Sequence, residues 1–279
     1  MLSRIFKYLT LTFVVLLLDS CSDNNNDSDV FNKICATSIS LSNSKQAIDI
    51  WYDGNLNLES PVVVFIHGGG WNSGDKSVWD VSFANAFLSF GITSVSLNYR
   101  LAPHVTIAEQ LNDIDEAISW INDNIGFYGG DSSKIYIVGH SAGAHLAALA
   151  GLKNDINGII CIDGGEYLNE MPDNMSEDSD YYILLKDVFR IAIGNNEPSK
   201  YVPYYQVESG KRHPIMLLYQ ADEQYRALAN EKFAEKLRLN GYYVSMFPTW
   251  NLGHMGVYNQ LANSNSAAML EVIDFIRSH

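Results

Sequence analysis

The chain has 279 residues, room for one large α/β domain or two small ones. Apolar residues make up 47% and charged residues 18%, which permits a substantial core and rules out wholesale disorder. Lys and Arg total 18 against 32 Asp and Glu, a formal charge of −14, so a duplex-wrapping role is excluded and no nucleic-acid partner is expected. Three cysteines, at 21, 35 and 161, have no paired spacing, which excludes a disulfide scaffold and a cysteine-ligated zinc site. Cys35 and Cys161 read as buried thiols, Cys161 inside an apolar, strand-like run.

Arg4 and Lys7 precede the apolar run Leu9 to Leu18, which has the charged and apolar regions of a secretory signal and is too short to span a bilayer comfortably. It stops at Leu18-Asp19-Ser20-Cys21. A leucine three before a cysteine, with a small residue directly before it, resembles the bacterial lipobox, although Asp19 departs from the small or apolar residue usual there. Residues 1–20 are therefore expected to be a lipoprotein signal peptide, with Cys21 the lipid attachment site. Residues 21–34, polar and acidic from Ser22 to Asp29, are expected to form a flexible tether. An acidic run after a lipid-bearing cysteine resembles the surface-export signals of some Gram-negative bacteria. The resemblance implies an exported protein anchored to the bacterial outer membrane and exposed at its surface.

No internal repeat and no Pro/Gly/Ser linker divides the remainder, so residues 35–279 are expected to form one domain. Ala47 to Tyr52 alternates as a strand. Val62 to Ile66 is a continuous β-branched and aromatic run, as expected of a strand buried on both faces. Ile92 to Leu97, Ile135 to Val138, Gly158 to Ile162 and Ile215 to Tyr219 share that character, and Tyr242 to Phe247 is a further strand. Helical patterns occupy Val81 to Phe90, Ile107 to Ile125, Ala142 to Leu152, Ala227 to Leu239 and Ala267 to Ile276. Strands alternating with helices predict a mostly parallel sheet covered on both faces. Residues 166–206, rich in Asp, Asn, Glu and Tyr, are long for a connection between strand and helix and read as a cap insertion.

Gly139-His140-Ser141-Ala142-Gly143 lies between a predicted strand and an apolar helix, the setting a G-x-S-x-G nucleophile elbow requires. Glycines two positions either side of the serine let backbone approach without Cβ clashes. The turn then projects the hydroxyl above the sheet and aims a helix N-terminus at developing negative charge. His67-Gly68-Gly69-Gly70-Trp71 follows the Val62 to Ile66 strand, and its glycines leave backbone N–H groups free to face a ligand. Gly69, Gly70 and Ala142 are the expected oxyanion-hole donors.

These segments, with Asn98 to Pro103 (NYRLAP), Tyr128 to Asp131 (YGGD) and the continuations HGGGWNSGDK and GHSAGAHL, resemble α/β-hydrolases. The similar group is the esterases and lipases that include hormone-sensitive-lipase-like carboxylesterases, kynurenine formamidases, and feruloyl and acetyl-xylan esterases. The resemblance spans residues 61–279 and is densest in the first half. It implies the α/β-hydrolase fold, a triad in the order Ser, Asp or Glu, His, and no metal or other cofactor. Asp222 follows the strand Ile215 to Tyr219 and is the expected acid, with Glu223 its rival. His254, in the loop after the Tyr242 to Phe247 strand, is the expected base.

Trp71, Asn72 and His140 are candidates for the substrate pocket, Trp71 standing equally well as packing. Tyr99 and Arg100 read as locks on the loop around Pro103, and Asp131 with Ser132 and Ser133 as turn chemistry. The tyrosine-rich cap could form a substrate rim or a packed lid. The expected activity is hydrolysis of carboxylic esters of short acyl, acetyl or feruloyl groups through an acyl-enzyme, on small or polysaccharide-linked substrates. An arylformamidase, and a non-catalytic surface binding protein on the same fold, are the alternatives. Oligomeric state is not legible.

Overall fold

The computed structural model describes residues 20–23, 33–41, 46–55, 59–165, 167, 189–194, 197–209 and 213–279. Residues 1–19 of the expected signal segment 1–20, most of the tether and most of the cap insertion lie outside the described residues. In chain order the elements are β1 (Ser20–Asp23), β2 (Lys33–Ser40), β3 (Ala47–Asp53), β4 (Ser60–Ile66), α1 (Val81–Leu88), β5 (Thr93–Leu97), α2 (Ile107–Asn124), β6 (Gly130–His140), α3 (Ala142–Lys153) and β7 (Gly158–Ile162). They continue with α4 (Arg190–Ile193), α5 (Pro203–Gln206), β8 (Ile215–Gln220), α6 (Gln224–Leu239), β9 (Val244–Thr249), α7 (His254–Asn259) and α8 (Ala267–Ser278).

The strands form one sheet in the order β1-β2-β3-β5-β4-β6-β7-β8-β9. Pairing is antiparallel from β1 through β3 to β5 and parallel from β5 to β9. This is the expected mostly parallel sheet. Strand β1 departs from the tether reading, because Ser20–Asp23 pairs with Lys33–Ala36. Cys161 is a buried free thiol, its ionisation pushed up to about 12 by burial. Cys35 is disulfide-bonded, so the expectation of a free thiol there is corrected.

Alternation along β4 shows how the sheet separates two cores. Val62, Val64 and Ile66 face a core shared with α2, α3 and α6, while Val63 and Phe65 face a second one shared with α1, α7 and α8. All five side chains have no exposed surface, which explains the unbroken apolar run. Helix α2 starts at a capping box, Thr106 with Glu109, and buries Ile107, Ile114, Ile118 and Ile121. Helix α3 is built of Ala, Gly and Leu and is buried on every side as far as Leu152. Small residues let it pack directly under the sheet, and its N-terminus meets the strand edge where β4, β6 and β7 end.

Arg100 ties the loop before α2 to the core. Its Nε and Nη2 donate to the buried Asp113 at 2.9 and 2.6 Å, and its amide donates to the same carboxylate at 2.9 Å. Tyr99 donates from Oη to the His67 carbonyl at 2.9 Å and stacks on the His67 ring. The locking role expected of these two residues is thus the geometry found, whereas Asp131 accepts from the Ser133 amide and hydroxyl within the extended strand β6 and not in the expected turn. Among the described residues no helix is long and apolar enough to cross a membrane.

Candidate active site

Parallel strands place their C-terminal ends along one edge of the sheet, and there the chemistry-bearing residues collect. Ser141 follows β6 directly, with φ 56° and ψ −125°, a conformation costly for a side-chain-bearing residue. Two glycines make the turn possible. A Cβ on Gly139 would lie 2.1 Å from the Gly143 carbonyl oxygen, and one on Gly143 would lie 2.1 Å from that of Ile66. The Ser141 amide donates to the Ile162 carbonyl at 2.9 Å, extending the β6–β7 ladder into the turn.

The glycine loop after β4 lies against this elbow. A Cβ on Gly68 would come within 2.8 Å of the His140 carbonyl oxygen and 3.1 Å of the Ser141 Cβ. The amides of Gly69, Gly70 and Ala142 donate to no acceptor among the described residues. Gly69, Gly70, His140, Ser141 and His254 line one pocket of about 300 Å³, walled by Phe65, Val78, Met255 and Tyr258. Gly74 also lines this pocket and a second, more polar cavity of about 650 Å³, which Asn72, Asn98, Arg100 and His104 border. Asn72 is therefore placed in the neighbouring cavity. Trp71 lines neither cavity. Its side chain is wholly buried and its Nε1 donates to His145 Nδ1 at 3.2 Å, which corrects its reading as a pocket residue.

His254 opens α7 after Gly253, whose φ of 70° turns the chain into the helix. Its Nδ1 donates to a carboxylate at 2.6 Å, and that carboxylate belongs to Asp163, not Asp222. Asp163 directly follows β7, the strand beside β6. It has no exposed surface and φ 48°. Its Oδ1 accepts from the Gln220 amide at 2.8 Å, and its own amide donates to the Leu218 carbonyl at 2.7 Å. Asp222, by contrast, is exposed, and its Oδ2 accepts from the Asn251 amide at 3.2 Å. Glu223 is engaged at the start of α6, its Oε2 accepting from the Arg226 amide at 3.1 Å.

Electrostatics fit that placement. Burial alone would raise the Asp163 carboxyl, but the His254 hydrogen bond, the nearby Arg226 guanidinium and the Gln220 amide outweigh it and hold it below the usual carboxylate range. Burial pushes His140 down to about 3, helped by the adjacent His254, so His140 is neutral. Its Nε2 donates to the His254 carbonyl at 3.1 Å, and its ring lies between His254 and Tyr258 at centroid distances of 4.5 and 5.1 Å. His140 thus packs against His254 and holds its main chain. His145 donates from Nε2 to the Tyr201 carbonyl at 2.5 Å, tying α3 to the C-terminal part of the expected insertion.

Sequence reading missed Asp163, Arg226 and Asn230. A signal for Asp163 existed: it directly follows the buried run Gly158 to Ile162, as Asp222 follows the next strand, and either satisfies the chain order Ser, acid, His. The described residues contain no cluster of His, Cys, Asp and Glu that could hold a metal ion.

The chain resembles known proteins in both sequence and fold. Over 108 residues it is 34% identical to esterase LipC of Mycobacterium tuberculosis, covering 38% of this chain and 27% of that one. Over 145 residues it is 34% identical to the isoprenylcysteine alpha-carbonyl methylesterase ICME of Arabidopsis thaliana, covering 52% and 34%. The chain thus matches only about a quarter to a third of these relatives' length. Its structure superposes on Thermogutta terrifontis esterase 2 phosphonylated by sarin with a TM-score of 0.66 at 21% identity, covering 84% of this chain and 88% of that one. The sheet order, the elbow at Ser141 and that superposition make this an α/β-hydrolase fold. The sequence profile of the BD-FAE family matches residues 48–187, half of the chain, and the protein is a member of that family.

Proposed function

We propose that the protein is a metal-independent serine hydrolase that cleaves carboxylic esters through an acyl-enzyme, with Ser141, His254 and Asp163 as its catalytic set. The observation that carries this reading is the junction of a strained, glycine-flanked Ser141 with a histidine hydrogen-bonded to a buried carboxylate, both histidine and serine lining one pocket. In the first step Ser141 Oγ attacks the acyl carbon and its proton passes to His254 Nε2. The bond to the alcohol oxygen then breaks, and the same proton leaves with the alcohol. Water hydrolyses the acyl-enzyme by the reverse sequence. Asp163 holds the imidazole in the tautomer with Nδ1–H and stabilises the imidazolium, while the amides of Gly69, Gly70 and Ala142 bind the oxyanion. The relatives are esterases, and sarin phosphonylates the Thermogutta neighbour, which supports a nucleophile of this kind here.

The pocket of about 300 Å³ suits a small acyl group such as acetyl, with room for a feruloyl group only if its ring extends beyond the Met255 and Val78 rim. The test is hydrolysis of p-nitrophenyl acetate, butyrate and octanoate, methyl ferulate, acetylated xylan and N-formylkynurenine. Ser141→Ala is expected to lower turnover about 10⁵-fold or more and to abolish labelling by a fluorophosphonate probe. Near-normal hydrolysis by that variant overturns the mechanism. Preference for N-formylkynurenine makes the protein a formamidase, and inertness of the folded wild type toward every substrate and the probe makes it a binding protein.

We read the N-terminus as a lipoprotein signal with the lipid on Cys21, placing the enzyme on the outer membrane. Intact mass of protein extracted from its native membrane decides: a diacylglycerol adduct at Cys21 is expected, and an unlipidated chain with Cys21 bridged to Cys35 overturns the anchor.

A further inference from the structure

Asp163 poses an electrostatic problem that its hydrogen bonds to His254 and Gln220 leave unsolved. The carboxylate has no exposed surface, and an ion so buried is tolerated only when a counter-charge and full hydrogen bonding replace its hydration. The Gln220 amide is neutral, and His254 must be neutral before the reaction if it is to accept the serine proton. A permanent cation stands behind the pair. Arg226 Nε lies 3.6 Å from Asp163 Oδ2, and Arg226 Nη1 donates to the Asp163 carbonyl oxygen at 2.5 Å. One guanidinium thus touches the main chain of the acid and faces its side chain.

Its own location is unusual. Arg226 is buried and stands in the first turn of α6, where a cation opposes the helix dipole. Glu223 compensates, with its Oε2 accepting from the Arg226 amide at 3.1 Å and lying 3.7 Å from Nε. One turn further along the same face, the fully buried Asn230 donates from Nδ2 to the Gly164 carbonyl at 2.8 Å. Positions i and i+4 of one helix therefore grip the carbonyls of two consecutive residues, Asp163 and Gly164. That grip is what holds Asp163 at a positive φ, a conformation an aspartate does not favour by itself.

We propose that Arg226 is a positioning residue for the ester hydrolysis, fixing the Asp163 peptide and supplying the counter-charge behind the carboxylate that His254 uses. The inference rests on the reading of Ser141, His254 and Asp163 as the catalytic set. Arg226 touches neither the pocket nor the reacting atoms, so its loss is felt in turnover and not in substrate binding. A lysine keeps the charge but, with one nitrogen, cannot reach the carbonyl and face the carboxylate in the same fork geometry.

The experiment measures kcat and KM of full-length wild type, R226Q, R226K and S141A on p-nitrophenyl acetate, with thermal melts of each. It also follows the low-field proton resonance of the His254 Nδ1–H donated to Asp163, identified by its loss in D163N. For R226Q, kcat is expected to fall about 10-fold or more with KM within about twofold, and the resonance to broaden or shift. R226K is expected between the two. A cooperatively folded R226Q with wild-type kcat, or with a raised KM alone, overturns the role. If R226Q does not fold, R226K decides: a lowered kcat at unchanged KM supports the role, and wild-type kcat with an unshifted resonance overturns it. S141A separates this inference from the reading beneath it. Wild-type turnover in S141A means the catalytic assignment itself has failed, whereas an inactive S141A beside a fully active R226Q refutes only the positioning role.

Discussion

Two aspartates follow neighbouring parallel strands, and their surroundings differ as sharply as two carboxylates can. Asp163 is fully buried and receives the imidazole N–H, while Asp222 is exposed and accepts a single backbone amide from Asn251. Asp163→Asn would present an amide N–H or a weaker acceptor to His254 and favour the wrong tautomer, so kcat is expected to fall by about 10⁴. Asp222→Asn changes an exposed group and is expected to leave kcat within about threefold, since substitutions of that kind usually alter stability by no more than about 0.5 kcal/mol. Steady-state kinetics of both variants check this, and the opposite ranking returns the acid to Asp222. The placement of Ser141 and His254 in one pocket could be read from the sequence, because the elbow imposes a steric signature and chain order leaves one well-placed histidine. The carboxylate that His254 meets could not, because chain order accepts a carboxylate after either strand and only burial separates them. Trp71 was open between wall and packing for the same reason: its neighbour His145 is far along the chain.

Among the elements, those whose periodicity arises from burial were legible. Strand β7 has the predicted bounds, and β4 and β5 differ from them by a residue or two, because both faces of each strand are covered, even in β5 where the buried Ser94 and Ser96 interrupt the apolar run. Strand β6 begins at Gly130, earlier than predicted, since Asp131, Ser132, Ser133 and Lys134 stay extended despite their turn-forming composition. Strand β9 starts two residues later than the Tyr242 to Phe247 reading. Tyr242 is occupied in ending α6, where its amide donates to the Leu237 carbonyl at 3.1 Å after Gly241 turns at φ 85°. Helix α7 was read as loop. At six residues it is too short to display a period, and its start depends on the backbone of Gly253. Helix α6 begins at Gln224, earlier than the predicted Ala227, and that extra turn is the one that contains Arg226.

At the scale of the whole molecule, buried neutral histidines couple the fold to pH. His67 and His140 both have ionisations lowered chiefly by burial, His140 to about 3 from an ordinary 6.5. A group depressed in the folded state is protonated preferentially by the unfolded chain, so its contribution is complete above about pH 6.5 and is lost as pH falls. Each such histidine costs about 1.4 kcal/mol per pH unit below that point until its folded value is reached. Asp163, and Asp75 at about 2, add a second loss below about pH 4, where their unfolded counterparts take up protons. Urea midpoints from pH 8 to 3 are expected to be level at the alkaline end and to decline from about pH 6.5, with a steeper fall below about pH 4. A level profile between pH 7 and 5 contradicts the account.

The place of Asp163 directly after β7 has a consequence for how this fold can vary. Serine and acid are carried by neighbouring strands joined through one helix, so a single β-α-β unit delivers both in fixed relation. The next turn, after β8, supplies none of the proposed catalytic groups: Asp222 is exposed and accepts one backbone amide, while Glu223 caps α6 beside Arg226. An insertion ahead of Asp222 would therefore lengthen the loop facing Asn251 without altering the β-α-β unit that carries Ser141 and Asp163.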